Sequence, residues 1–574
     1  MSDTDCFSTS AVELRWGLKI PMRDGLTLHA TLYLPRKPRA DAPCAISMTP
    51  YTADTLHDVG ITFATHGFPF AAIDVRGRGN SEGSFRPMIQ EARDGFDTVE
   101  WIAQQPFSHG KVVMCGGSYL GYAQWATAKE FPPHLLALAP AAAPFMGVDF
   151  PMRRNIFYPF VIQWLNVVAG RALQTKIFSD TLLWSNLYRQ WHESGCSLLD
   201  FNTALGSPAA AFSEWLSHPC SDEYWDAYNP SDAHYAKIDL PILTITGIYD
   251  DDQPGALEHY QRHMRHASAE ARNKHFLVIG PWDHQGTRTP AREFGGTRFG
   301  DASLIDLRKL QLDWYAWTLL DAPRPAFLKK RVAYYITGLE EWRYADSVEE
   351  VTAQHSEYLL DSSRNADDIF CSGSLSKHPG QGSPDYYRYD PSDTTGPEVN
   401  AEARVHGGSL VDQSVMLALR GKLLVYQTEP LTQDTLIAGF FKLSAWIAID
   451  CPDSDLFVSV YDVAADGTLL RLSTDAIRAR YRLNPRKAQL IHTLEPLLYE
   501  FDQFTFCSRL VRRGHRLRLV LAPMGRLVES TFQEKNYNAG GVVAQECVKD
   551  ARAVTVKLFH DHHYRSVLQV PIGR

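Results

Sequence analysis

The 574-residue sequence predicts an α/β domain interrupted by a helical insertion and followed by an all-β domain of sandwich or jelly-roll type. Three observations carry this prediction. The first third alternates short apolar runs with stretches of helical period. Residues 145–235 lose the strand runs and become rich in Trp, Tyr and Phe at helical spacing. Beyond about residue 331 helical periodicity nearly vanishes, and short β-runs broken by Gly, Pro, Asp and Ser take over.

Residues 26–34 alternate apolar and polar side chains, as a half-buried strand does. Residues 44–49 and 70–75 are short apolar runs suited to buried strands. Residues 94–105 carry Phe96, Val99, Trp101 and Ile102 on one helical face. A strand is expected at 111–115, and a helix from Tyr119 to Lys129. After the helical insertion the βα pattern resumes at 240–247 and 275–280, and a helix is expected over 305–319. An insertion on the loop side of such a sheet lies over its carboxyl edge, where α/β proteins bind ligands. In the last third, residues 332–337, 423–426, 456–463 and 517–521 read as strands, and 372–395 is the most linker-like stretch. No repeat of the solenoid or propeller kind is present.

Composition narrows the function classes. With 45% hydrophobic and 21% charged residues the chain is globular, and its length implies several domains. A net charge of −9 and short basic clusters such as 509–515 give no electrostatic footprint for nucleic acid. No stretch approaches the roughly 20 apolar residues of a membrane span, and residues 1–16 lack the pattern of a signal peptide. Nine scattered cysteines without a C-x-x-C pair read as reduced thiols of a cytoplasmic protein, not as disulfides or a zinc site.

The chemistry centres on the stretch Val112 to Gly121, a strand running into Gly116-Gly117-Ser118-Tyr119-Leu120-Gly121. A nucleophile elbow puts its serine on a tight strand-to-helix turn, with small residues where helix and strand approach closely. Here the second glycine sits three residues after Ser118 instead of two, so the alternative is a plain glycine-rich βα turn. A serine nucleophile needs a base and the base an orienting acid, in the chain order Ser, Asp, His. The strand 241–247 leads to Asp250, and the strand 276–280 leads to His284. Asp251, Asp252 and Asp283 compete for the acid. Asp283 adjoins the histidine in extended chain, where neighbouring side chains diverge, and Asp250 is the first residue past the strand and turn. The amide of Tyr119 points above Ser118, and Tyr51, after a proline at the end of 45–50, offers a second oxyanion donor; its bland alternative is packing.

These residues lie in a set of motifs that resembles the CocE/NonD hydrolases, which include cocaine esterase, the α-amino acid ester hydrolases and, more distantly, the X-Pro dipeptidyl peptidases. The motifs are Asp74 to Gly83, Asp94 to Ile102, Gly116 to Gly121, Gly247 to Asp250 and Gly280 to His284, joined near the end by 514–521 and 559–571. The resemblance implies an α/β-hydrolase domain (1–144 and 239–350), a helical cap (145–238) and a C-terminal jelly roll (351–574). It implies Ser118, Asp250 and His284 as catalytic triad, Tyr51 and the Tyr119 amide as oxyanion hole, and the glycine three residues after the serine as the family's usual form. His560, His562 and His563 fall on its closing strand motif, a structural reading. Its amino acid ester hydrolases bind the substrate ammonium with an acidic cluster, which here matches Asp149 and Asp252 in part, because Gln253 replaces an acid.

The sequence therefore predicts a serine hydrolase of a small ester or amide, working without metal or organic cofactor, with no nucleic-acid or membrane partner and with a homo-oligomer neither required nor excluded. The alternatives are acyl transfer to an amine or alcohol, an α-amino acid ester hydrolase, an X-Pro-type peptidase, and a catalytically silent binding protein. Phe145, Tyr158, Phe160 and Trp164 are either acyl-pocket lining or cap core.

Overall fold

The computed structural model describes residues 11–206, 208–378, 380, 382–393, 410–411, 413, 416–417, 419–523 and 534–574. A ten-stranded sheet forms the first layer. Its strands are β1 (Val12–Pro21), β2 (Thr27–Pro35), β3 (Cys44–Thr49), β4 (Phe70–Asp74), β5 (Val112–Gly117), β6 (Leu135–Ala141), β7 (Ile242–Tyr249), β8 (His275–Asp283), β9 (Val332–Ile336) and β10 (Glu341–Ala345). They lie in the order β1-β2-β4-β3-β5-β6-β7-β8-β9-β10. From β4 to β9 every neighbour is parallel, and antiparallel strands close both edges. The central strands are the apolar runs of the sequence: all residues of β3, β4 and β7 are buried, as a sheet covered on both faces requires. Helices α1 (His57–Thr65), α2 (Glu91–Ala103) and α3 (Tyr119–Ala128) cover it, and all ten residues of α3 are buried.

Between β6 and β7 the chain leaves the sheet and forms short helices, among them Phe160–Val167 and Thr181–Ser194. The latter starts at Asp180, whose side chain accepts the Leu183 amide at 2.9 Å, and ends at Gly195 in the left-handed region. From Thr352 onward the chain builds a thirteen-stranded β structure around its own core, which includes Leu443, Ile447, Val458, Leu519 and Val556. The linker-like stretch 372–395 contains two of its strands, Gly373–Ser376 and Asp385–Tyr389. The latter alternates buried Asp385 and Tyr387 with exposed Tyr386 and Arg388. The buried positions include an aspartate, bonded to Ser362 and Tyr426, so the pattern is not apolar. Among the described residues no helix is long and apolar enough to cross a membrane, and eight cysteines are free thiols; Cys6 lies outside the described residues. His560 is buried against Asp385 at 3.2 Å, and no cluster with metal-ligand geometry occurs among the described residues.

The cap and the β domain are joined by buried polar contacts. Arg478, 1% exposed, makes a bidentate pair with Asp455 (2.8 and 2.9 Å), bonds Glu534 at 2.9 Å and donates to the carbonyl of Asn155 in the cap at 2.8 Å. Gln253 joins the hydrolase domain to the β domain. Its Nε2 donates to the carbonyls of Gly247 (2.9 Å), Ile248 (3.1 Å) and Phe506 (3.1 Å), while its Oε1 accepts the Phe506 amide at 2.7 Å. An amide side chain donates from its nitrogen and accepts at its oxygen, whereas a carboxylate of the same shape can only accept. Gln253→Glu is therefore expected to cost about 3 kcal/mol, since the carboxylate faces three buried carbonyls. Denaturant unfolding of the two proteins at pH 7.5 measures it.

Three buried histidines form closed neutral chains beside α3. His263 donates Nε2–H to the Ile238 carbonyl (3.1 Å), which leaves its Nδ1 to accept from His275 Nδ1–H (3.0 Å). His275 Nε2 then accepts from the Thr244 hydroxyl (2.8 Å). His259 donates to the Pro144 carbonyl (3.2 Å), accepts from the Tyr235 hydroxyl (2.7 Å) and stacks on Trp125. No ring nitrogen is left for a second proton. Burial pushes His259 down to about 3, His263 to about 4 and His275 well below the ordinary value. The unfolded chain thus binds more protons than the folded one below pH about 6.5, and stability falls as pH falls from there toward 4. At pH 5 each histidine is expected to cost about 2 kcal/mol relative to neutral pH. Urea unfolding at pH 7.5 and pH 5 measures the loss, and His259→Gln reduces its pH slope by about one proton.

Candidate active site

Ser118 caps the amino end of α3 with φ 61° and ψ −128°, a conformation costly for an L-residue. The strain is held on every side. The Ser118 amide donates to the carbonyls of Ala141 (2.9 Å) and Ala142 (3.1 Å), and the Ser118 carbonyl accepts the amides of Gly121 (2.8 Å) and Tyr122 (3.0 Å). A side chain on Gly121 would put its Cβ 2.8 Å from the Ala141 carbonyl oxygen, and one on Gly116, itself at φ 127°, would meet Leu120 at 2.6 Å. The glycine three residues after the serine is thus required by contact between α3 and the end of β6.

The register of β7 and β8 brings the acid and the base together. Asp283 lies opposite Tyr249, so the next residues, His284 and Asp250, leave the sheet side by side. His284 Nδ1 bonds Asp250 Oδ1 at 2.9 Å. Asp250, 3% exposed, also accepts the Thr246 hydroxyl (2.8 Å) and the Asp252 amide (3.1 Å), which fixes its plane. Because Nδ1 carries the proton given to Asp250, Nε2 is the free base. Burial pushes the imidazole pKa down, but the charge of Asp252, 3.6 Å from Nδ1, and the bond to Asp250 outweigh it and leave the pKa raised. Asp283, the rejected acid, is occupied by the Gly286 amide at 2.8 Å.

Tyr51 lines the same cavity as Ser118, and its hydroxyl oxygen accepts Trp164 Nε1–H from the cap at 2.9 Å. With its lone pair engaged, the phenol proton is available to a developing oxyanion, and burial keeps the phenol protonated by pushing its pKa up. Tyr119 contributes its backbone. Its hydroxyl turns away to donate to Glu91, its ring stacks on Trp164, and its amide, first of α3, has no protein acceptor among the described residues.

Ser118, Tyr51, Tyr119, Asp250 and His284 line one cavity of about 980 Å³, together with Asp149, Asp251 and Asp252. Cap side chains Phe150, Tyr158, Phe160 and Trp164 line it, and so do Leu472, Thr474 and Thr505 from the β domain. Phe145 does not; it packs on His259 with ring centroids 4.8 Å apart. Asp149 is 3% exposed, and its oxygens are taken by the amides of Phe145 (2.8 Å) and Gly255 (2.6 Å), tying the start of the cap to the helix Gln253–His266. Sequence reasoning missed Thr246 as a support of Asp250, Trp164 as the partner of Tyr51, and Gln253 as an interdomain tie. The departure of Gln253 from the acidic cluster was the one visible signal.

The model of the X-Pro dipeptidyl-peptidase (S15 family) matches residues 24–286, which contain Tyr51, Ser118, Asp250 and His284, and that of the X-Pro dipeptidyl-peptidase C-terminal non-catalytic domain matches 330–523. Cocaine esterase of Rhodococcus sp. (strain MB1 Bresler) is 25% identical, over 96% of this chain and 97% of its own. Two solved structures share the fold at a TM-score of 0.82: an α-amino acid ester hydrolase (21% identical, covering 100% of both chains) and an aminopeptidase from a marine sediment Thaumarchaeota archaeon (22%, 100% of this chain and 99% of that one). With both domains of the X-Pro dipeptidyl-peptidase (S15) architecture matched in order and an esterase alike along its whole length, the chain is a serine hydrolase similar to the CocE/NonD family.

Proposed function

We propose that the protein hydrolyses an ester or amide bond of a small acyl substrate through an acyl-enzyme on Ser118. Ser118 Oγ attacks the carbonyl carbon while its proton passes to His284 Nε2. Asp250 holds the imidazole tautomer and stabilises the imidazolium. The Tyr51 hydroxyl and the Tyr119 amide receive the oxyanion. His284 then gives the proton to the leaving group, the acyl bond to that group breaks, and a water activated by His284 releases the acid and restores Ser118. The observation that carries this reading is the 2.9 Å bond from His284 to Asp250 in the same cavity as a strained Ser118 and the Tyr51 hydroxyl. The proposed partner is the small-molecule substrate. An ammonium pocket would rest on Asp252, because Asp149 already holds two backbone amides. An α-amino ester and its desamino analogue are the substrates that test it, and equal rates would sink it.

A fluorophosphonate probe is expected to label Ser118 and to leave Ser118→Ala unlabelled, with p-nitrophenyl ester hydrolysis reduced at least ~10⁴-fold in that variant. Full turnover by Ser118→Ala overturns the reading. Tyr51→Phe is expected to lower kcat by about 10²–10³ with KM little changed. The acid limb of kcat/KM is expected above the ordinary histidine range, since activity is lost as pH falls through the raised His284 pKa. Asp252→Asn moves that limb to lower pH; a limb that stays in place shows that Asp252 carries no charge there.

A further inference from the structure

Among the described residues, two arginines in the cavity have no counter-ion. Arg288 and Arg308 both line it, and neither forms an ion pair or a side-chain hydrogen bond among the described residues. The Nη1 atom of Arg288 is buried without a partner. Of the four aspartates lining the cavity, Asp250 holds His284, Asp149 holds two amides and Asp252 faces His284, and among the described residues none of the four, Asp251 included, forms an ion pair with either arginine.

Both arginines line the cavity together with Cys115 and Gly117 of β5. The Cδ and Nη1 of Arg288 lie 2.8 and 2.9 Å from where a Cβ on Gly117 would be, so the glycine just before Ser118 makes room for this side chain. The charge of Arg308 acts on the thiol of Cys115. Cys115 and Gly117 project from the same face of β5, roughly 7 Å apart. Arg308 is also misplaced for helix stability. It is the second residue of the helix Leu307–Leu319, where the helix dipole opposes a cation. A buried guanidinium N–H left unbonded is costly, and a cation at a helix amino end adds to that cost. Both are relieved by one anion set between the two groups. Both residues fall between the segments matched by the two family models, 24–286 and 330–523.

We infer that Arg288 and Arg308 form an anion subsite that binds a carboxylate of the substrate, so that the preferred ester or amide is acidic. The inference rests on the hydrolase reading above and names its substrate class. A guanidinium pair suits a carboxylate because each presents parallel N–H donors matched to its two oxygens.

The test compares kcat/KM for p-nitrophenyl butyrate, the mono-p-nitrophenyl ester of glutaric acid (carboxylate on the acyl side) and 4-acetoxybenzoate against phenyl acetate (carboxylate on the leaving-group side). Wild type is expected to favour the acidic member of one pair at least about tenfold, which also identifies the side of the scissile bond. In Arg308→Gln and Arg288→Gln that ratio is expected to fall about 10- to 100-fold. Arg308→Lys retains part of it, and Arg308→Glu reverses it. Glutarate is expected to raise the Tm of wild type and not of Arg308→Gln. A wild type that is labelled at Ser118 and hydrolyses neutral esters, with ratios near one in both pairs, overturns the anion subsite and leaves the hydrolase reading standing. A variant that slows acidic and neutral esters equally assigns its arginine to support of the oxyanion, which also overturns it. If no ester is turned over, the hydrolase reading fails, and the glutarate shift alone decides the subsite.

Discussion

The hydrogen bond between His284 and Asp250 is the constraint to which the rest of the hydrolase domain is fitted. Neither residue belongs to a strand or helix; each is the first residue past the end of a parallel strand. Their meeting depends on the pairing of β7 with β8, because a shift of one residue would turn one side chain to the opposite face. The turn that carries Asp250 is then fastened twice more, by Thr246 from within β7 and by Gln253, which reaches the β domain at Phe506. The C-terminal domain thus supports the acid of the proposed triad through one buried amide side chain and also closes the wall of the cavity.

The division of labour among the three parts follows from where polar atoms are buried. The sheet supplies the proposed nucleophile, acid and base at its carboxyl edge, as open α/β sheets do. The cap supplies aromatic wall and the indole that holds Tyr51. The β domain anchors the cap through Arg478, whose bidentate pair with Asp455 leaves one guanidinium nitrogen for the Asn155 carbonyl. A buried arginine is tolerable there because its neighbours supply acceptors in the plane of the group.

Much of this was legible in the sequence where the signal was local. The parallel strands are continuous apolar runs, and Ser118, Asp250 and His284 each follow such a run, so their place at the sheet edge could be read from pattern alone. The strand Asp385–Tyr389 was not legible, because the buried side of its alternation carries an aspartate that only its partners Ser362 and Tyr426 make tolerable. The tie from Trp164 to Tyr51 spans 113 residues, and that from Gln253 to Phe506 spans 253. No periodicity reports such pairs. The unpaired state of Arg288 and Arg308 was hidden for the same reason: a sequence shows a charge but not whether another faces it.

The bond from Trp164 to Tyr51 would make the cap part of the proposed oxyanion hole and not only a wall of the cavity. The indole N–H is accepted by the phenol oxygen, which leaves the phenol proton for an acceptor in the cavity. A displacement of the cap large enough to widen the cavity separates the indole from the phenol, and the phenol is then free to rotate and to bond water. In the proposed reaction, a carbonyl would therefore be polarised by Tyr51 only while the cap keeps this contact.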